Sequence, residues 1–376
     1  MKRIAKTAVA ALALFLLCCT TCFAEDDGTY SQQFEASGAG ELYDSLPEET
    51  QGYLERLGFE NVDFYEIFSA DPRAVIDLLA DIVRGKLAAP MKTLAKLMGT
   101  VILAALAQSF FPADERSKET VNLVVGCLMI ITVFASLFSA VKAAVSAVSV
   151  CGDFQKTLIP VLAGVVTAAG NPMLALSYQS FALAAANSVT SLSENLVLPL
   201  AAMSAAMGCA GSVVPSLNLT ALNDFVRKTS ITVLSVSATL FSLLLTVKCT
   251  LANSADTLAA KGIKLLIGSF LPVVGGAVSQ AYSSILGSVS LIKSAVGVFS
   301  VSAALLTVTP VVVELFLWTF SLRLAEVGAQ ITGQQTAAQI LRTAAGTTVV
   351  VNVVTLYSAL VSVISSGLVI AVKTGV

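Results

Sequence analysis

The chain has 376 residues, of which 56% are hydrophobic and only 12% are charged, whereas a soluble globular domain has roughly 45–50% apolar and about 25% charged residues. This composition excludes an ordinary soluble protein, because so much apolar surface would aggregate in water, and it predicts an all-α polytopic membrane protein. The 24 acidic and 22 basic residues leave no basic excess, and histidine is absent, so nucleic acid is excluded as a partner and the commonest general base and metal ligand are missing.

Residues 1–24 have the pattern of a secretory signal peptide. Basic Lys2 and Arg3 precede an apolar run from Val9 to Leu17, and Ala24 provides a small residue at the cleavage position. This order of basic, apolar and small residues is typical of a cleaved leader. We therefore expect the mature N-terminus to lie outside the cytoplasm.

Residues 25–90 are predicted to form an acidic extracytoplasmic linker followed by a small helical segment. Fifteen of the 24 acidic residues lie between Glu25 and Asp81. Apolar residues recur at helical spacing toward Leu87, and Asp71-Pro72 is a plausible helix start. Four basic residues then approach the membrane and are interpreted as an amphipathic collar on lipid headgroups: Arg84, Lys86, Lys92 and Lys96.

Residues 91–376 are predicted to form a polytopic transmembrane domain of about 6–8 spans, since a span needs about 20 apolar residues. Eight spans fit best, near 94–111, 121–149, 158–186, 189–214, 229–251, 264–290, 294–320 and 345–372. The third is interrupted by Gly170-Asn171-Pro172, and the fourth contains Pro199. Such interruptions at membrane depth are tolerated only where protein or a water-filled cavity covers the freed backbone groups.

An internal repeat of about 120–215 and 229–322 is suggested by two similar segments. Leu158–Thr167, with Pro160 and Gly164, aligns with Phe270–Ser279, with Pro272, Gly275 and Gly276. Repeated proline and glycine in apolar segments are typical of transporter substrate sites. Close helix packing through small residues is the alternative, and the pattern favours it.

Few ionisable residues lie within the predicted spans, and each is a candidate for function because burying a charge in lipid is costly. Glu194 and Glu314 are the strongest candidates, and Asp256 lies near a helix end. Trp318 and Arg323 are interpreted as an interfacial belt around Glu314. No hydrolase, metalloprotease or phosphate-binding motif occurs, and the seven cysteines have no metal-binding spacing, so we predict no enzyme activity, metal or cofactor.

The chain resembles the stage III sporulation protein AE family of endospore-forming bacteria. The similarity is most specific from Lys264 to Ala281, which includes Gly268, and continues at Lys293–Gly297; weaker matches lie at Leu158–Val161 and Val197–Leu200. The resemblance marks Gly268, Pro272, Gly275 and Gly276 as structural signature positions. It carries over no catalytic residue. Asn171-Pro172 departs from the Ser/Gly-rich turn expected after Gly170.

The resemblance implies a membrane subunit of a secretion-like channel between mother cell and forespore, needed for forespore development. It implies a location in the mother-cell membrane around the forespore. The implied partners are proteins of the same operon, including a secretion-type ATPase and ring-forming channel proteins, together with the lipid bilayer and further copies of the chain. The alternatives are an autonomous secondary transporter, with Glu194 or Glu314 as coupling groups, and a membrane scaffold for partner proteins.

Overall fold

The computed structural model describes residues 34–35, 37–59, 62, 72–110, 115–213, 220–270 and 275–371. The predicted signal peptide lies outside these residues. Within the described helices, the side chains of residues 115–119, 259–270 and 275–286 and of a few other positions are not described. Every regular element among the described residues is a helix, which confirms the predicted all-α class.

The helices follow one another with short connections. They are α1 Glu41–Asp44, α2 Glu48–Arg56, α3 Pro72–Phe110, α4 Glu115–Ala168, α5 Pro172–Leu192, a π-helical turn Ser193–Val197, α6 Leu198–Val213, α7 Thr220–Phe270, α8 Gly275–Ile331 and α9 Gln335–Ala371. The predicted helix start at Asp71-Pro72 is confirmed by the first residue of α3. The predicted domain boundary at residues 90 and 91 lies inside α3, which continues through Pro90.

Six of the described helical segments are long and apolar enough to cross a membrane: Arg73–Phe110, Thr120–Ala168, Pro172–Ser212, Leu222–Leu258, Val289–Ile331 and Gln335–Ile370. Six lies within the predicted range of about 6–8 spans, whereas the best count of eight is higher than the number among the described residues. The predicted span 121–149 and the start of the predicted span 158–186 lie in one helix, because α4 continues past residue 150 and through Pro160 to Ala168. The predicted span 264–290 lies partly outside the described residues.

Glycine ends two of the long helices. Gly170 has φ +80° and Gly333 has φ +75°, a left-handed conformation that glycine adopts without steric cost. After each glycine, the next amide donates to a carbonyl five residues back: Asn171 N to Val166 O at 3.1 Å, and Gln334 N to Ala329 O at 2.9 Å. These are Schellman ends, which satisfy the last helix carbonyls. The interruption at Gly170-Asn171-Pro172 is thus a turn between two helices.

Two large groups of buried apolar side chains lie at different heights of the bundle. The inner cluster contains Leu97, Met129, Val197, Leu315 and Val350 with their buried neighbours. The outer cluster is built from residues nearer the opposite helix ends: Leu42, Leu54, Leu78, Leu158, Leu174, Leu245 and Phe299. Both clusters include residues of α8 and α9, which therefore run through the centre of the bundle.

The short N-terminal helices pack on the outer cluster. Thr50 Oγ1 of α2 lies 3.3 Å from Thr307 Oγ1 of α8, and the Tyr43 ring is 6.3 Å from the Phe299 ring. Gln51 Nε2 donates to the carbonyls of Tyr43 and Leu46, each at 3.0 Å, which ties α2 to the preceding turn. The acidic segment is thereby anchored to the long helices.

The interpretation of Trp318 as part of an interfacial belt is wrong. Its side chain is only 2% exposed and belongs to the inner cluster. An interfacial tryptophan keeps its ring at the headgroup level, whereas Trp318 fills space between helices. Glu314 lies four residues earlier on α8. Because Trp318 does not mark the headgroup level, it does not show how deep Glu314 lies in the membrane.

Candidate functional site

Glu314 is paired with a basic residue of a different helix. Its Oε2 lies 3.4 Å from Lys86 Nζ of α3, and the side chains are 16% and 34% exposed, respectively. A charged side chain that is largely buried, such as Glu314, is stabilised when an opposite charge faces it. The predicted intramembrane candidate and one residue of the predicted basic collar therefore meet at the contact of α3 with α8.

Glu194 lies in the π-helical turn Ser193–Val197 and is half-buried. A π turn accommodates one extra residue in a helix and is frequent at functional sites. Among the described residues, no basic side chain lies within 4.0 Å of its carboxylate. Polar side chains of the same surface line an open groove beside the turn, and they are Asn187, Ser188, Ser191 and Asn195.

Asp256 of α7 caps the N-terminus of α5. Its carboxylate accepts hydrogen bonds from the Met173 amide at 3.2 Å and from the Leu174 amide at 2.8 Å, and the side chain is 4% exposed. A helix N-terminus has unsatisfied amides and a partial positive charge, so a carboxylate stabilises it. The sequence placed Asp256 near a helix end but gave no signal for a partner 82 residues away.

Buried polar side chains join α9 to three neighbouring helices. Ser362 accepts a hydrogen bond from Gln155 of α4, the hydroxyls of Tyr178 of α5 and Ser365 are 3.3 Å apart, and those of Ser237 of α7 and Tyr357 are 2.7 Å apart. Each pair satisfies polar atoms away from water. These contacts position helices, and they offer neither a nucleophile with a base nor a metal cage. Within the described residues, no group of three metal-ligating side chains occurs.

A cluster of amide side chains lies at the end of the bundle that is farther from α1 and α2. Gln334, in the turn between α8 and α9, exchanges hydrogen bonds with Gln108 of α3 at 2.9 and 3.2 Å. Gln108 also donates to Asn122 of α4 at 2.7 Å. The ends of α3 and α8 and the starts of α4 and α9 therefore lie at one level.

Two of the predicted packing positions lie away from the close contacts between described helices. Pro160 and Gly164 are exposed on α4, and a Cβ on Gly164 would meet nothing within 4 Å. A Cβ on Gly208 of α6 would instead overlap Thr343 of α9, and one on Gly297 of α8 would overlap Ile370 of α9. Gly208 was not predicted, and Gly297 was named only as the end of the family-like segment Lys293–Gly297, because their spacing differs in no way from that of other glycines in apolar runs.

The remaining signature positions fall at the connection of α7 with α8. Lys264 and Gly268 belong to α7, and Gly275 and Gly276 begin α8. The side-chain surroundings of these four residues are not described. Pro272 lies outside the described residues. Pro160 lies within the continuous helix α4. Because Pro272 lies outside the described residues, the suggested repeat stays a prediction.

Comparison with known proteins gives one family. Residues 64–373 match the family model described as stage III sporulation protein AE. A curated relative, stage III sporulation protein AE of Bacillus subtilis (strain 168), is 27% identical over 214 residues, which cover 55% of this chain and 53% of the relative. The match thus spans about half the length of that relative. No solved structure matches the chain.

Proposed function

Because the chain belongs to the stage III sporulation protein AE family, we propose that it is a non-enzymatic membrane subunit of the secretion-like channel apparatus joining mother cell and forespore. In this role it is needed for forespore development and lies in the mother-cell membrane around the forespore. Its partners are proteins of the same operon, including a secretion-type ATPase and ring-forming channel proteins. The family match over residues 64–373, together with six candidate spans among the residues that the structure describes, carries this proposal.

The pairing of Glu314 favours a subunit over an autonomous transporter. A coupling carboxylate must release and rebind a proton or ion during each cycle. Glu314 already has Lys86 as a counter-ion at 3.4 Å, so the pair serves to hold α3 against α8. Glu194, which has no such partner among the described residues, is the better remaining candidate for coupling.

The packed centre of the described bundle supports a conduit formed between chains. Small and apolar side chains of α8 and α9 fill the space between these two helices. They include Ala325, Ala329, Ala337, Ala344 and Ala345, each at most 2% exposed. Close packing of this kind leaves no room for a solute. A channel role therefore requires several copies, or this chain with its partners.

The proposal is tested by purifying a tagged full-length chain from sporulating membranes and identifying the proteins that accompany it. We expect the ATPase and ring-forming proteins of the operon to co-purify. Recovery of the chain without any other sporulation protein would contradict the proposal. Glu314→Gln and Glu194→Gln variants test the transporter alternative in the same cells, because loss of spore formation with an intact complex would favour coupling by these carboxylates.

A further inference from the structure

The exposed surface of α4 changes character partway along the helix. Near its start the exposed side chains are large and apolar, with Ile131 65% and Phe138 72% exposed. From residue 139 onward the exposed polar side chains are Ser139, Lys142, Ser146, Asp153, Lys156, Thr157 and Thr167. Lipid favours the first kind of surface and water the second.

On two other helices the exposed charged or polar side chains end at a similar level. The last exposed charge on α3 is Lys96, after which Ile102, Leu103, Leu106 and Phe110 are exposed. On α5 and the π turn the exposed polar side chains end at Asn195, and Leu196, Pro199 and Met203 follow. In each helix the apolar surface lies on the side of the inner cluster and of the amide cluster around Gln108.

The length of the apolar surface matches a bilayer. On α4 it lies between Asn122, in the amide cluster, and Lys142, the first exposed charge, which are 20 residues or about 30 Å of helix apart. The hydrocarbon core of a bilayer is also about 30 Å thick. Beyond Lys142, α4 continues for 26 residues to Ala168, about 39 Å at ~1.5 Å per residue.

The acidic N-terminal helices place water around the outer half. Glu41, Glu48, Glu49 and Glu55 are exposed on α1 and α2, and these helices pack on the outer cluster. Thr50 of α2 contacts Thr307 of α8, only two helical turns from Glu314. Ionised carboxylates are not stable in hydrocarbon, so the bilayer ends before the level of Thr307.

Two surfaces differ from this division. On the outer part of α3, Ile76, Leu87 and Met91 are 66%, 40% and 45% exposed. On α7 the exposed side chains stay apolar through Leu251 and Leu258, beside exposed Met173 and Leu176 of α5. The edge of the lipid-facing surface is therefore taken from α4, from the π turn with α6, and from the last exposed charge on α3.

From these surfaces we propose that the bilayer surrounds only the inner half of the bundle, and that the outer half, with α1 and α2 packed on it, projects into the extracytoplasmic space. The lipid-facing surface is formed by Ile102–Phe110, Leu123–Phe138 and Leu196–Ala210. This placement does not depend on the proposed channel role.

Single cysteines at matched exposed positions test the placement. In full-length chain with its seven cysteines replaced by alanine, Thr157→Cys is compared with Ile131→Cys on α4, and Ser188→Cys on α5 with Met203→Cys on α6. Intact, non-sporulating cells that produce the chain in the cell membrane are treated with a membrane-impermeant maleimide. Because only a thiolate in water reacts, we expect Thr157→Cys and Ser188→Cys to react at least about tenfold faster than their partners. Denaturation in detergent should make all four react equally.

The proposal would be overturned if Thr157→Cys and Ser188→Cys did not react with the maleimide in intact cells. It would also be overturned if they reacted only after the membrane was permeabilised. The unsubstituted chain provides a second measurement if the cysteine-free chain does not accumulate. Reconstituted in lipid nanodiscs, its Lys156 side chain, 45% exposed, should react with a water-soluble amine reagent. An unmodified Lys156 would place lipid around the outer half and contradict the proposal.

Discussion

At the scale of single residues, Asp256 joins two helices that are far apart in sequence. The turn at Gly170 leaves the first amides of α5 without helical partners, and Pro172 contributes no amide of its own. The Asp256 carboxylate satisfies the next two amides, those of Met173 and Leu174. The turn and the contact between α5 and α7 are therefore stabilised by one side chain.

We expect Asp256→Ala to lower stability by about 1–3 kcal/mol, because the partly buried amides of Met173 and Leu174 lose their acceptor. The measurement is thermal unfolding of the purified protein in detergent. Asp153→Ala is the control, since Asp153 is 69% exposed and pairs only with Lys156 on its own helix, a contact worth less than about 0.5 kcal/mol. Equal melting temperatures for the two variants would contradict the role of Asp256 as a cap.

At the scale of helices, the closest approaches occur where glycine faces a side chain of α9. Gly208 of α6 faces Thr343 and Asn223, and Asn223 also accepts a hydrogen bond from Ser204. A β-branched side chain such as Thr343 has few rotamers and gives way poorly. Gly164, by contrast, points away from the described helices.

Gly208→Ala should therefore destabilise the protein by about 1–3 kcal/mol through overpacking. Gly164→Ala should have no cost, or should stabilise α4 by about 0.5–1 kcal/mol because alanine favours helix. Melting temperatures of both purified variants check this difference. If only Gly164→Ala lost much stability, the assignment of packing glycines would be wrong. If Gly164→Ala kept normal stability but no longer co-purified with its partners, Gly164 would lie in a contact between chains.

At the scale of the whole molecule, one crossing for each of the six candidate spans of the described residues would place alternate helix connections on opposite sides of the membrane. With the N-terminal helices outside the cytoplasm, the turn after Ala168 lies outside and the connection after Val213 lies inside. Eight crossings would place the connection after Val213 outside. This connection therefore distinguishes the two counts.

Reporter fusions after Val213 and after Ala168 test the topology. After Val213 we expect green fluorescence from a fluorescent protein and no activity from alkaline phosphatase, because phosphatase folds only outside the cytoplasm. After Ala168 we expect the reverse. Phosphatase activity after Val213 would contradict the six-span arrangement, and a fusion after Ile331, which both counts place inside, is the control.

The sequence by itself determined the features that depend on local composition. Apolar runs of membrane-spanning length predict the helical membrane class, since lipid leaves backbone groups no partner other than the helix itself. Pro72 and Gly170 mark a helix start and a helix end through their own backbone preferences. The Lys264–Ala281 segment indicated the family that the comparison then gave.

The tertiary structure alone decided which helices are neighbours. The number of crossings depended on whether α4 continues through Pro160, and a proline within a helix is tolerated when packing supports it. Glu314 and Asp256 were visible as costly residues, but Lys86 and the amides of α5 are their partners only because distant helices meet. Trp318 is buried and Gly164 is exposed for the same reason. The periodicity of the sequence shows which residues share a helix face, but only the packing of the helices decides which faces are covered.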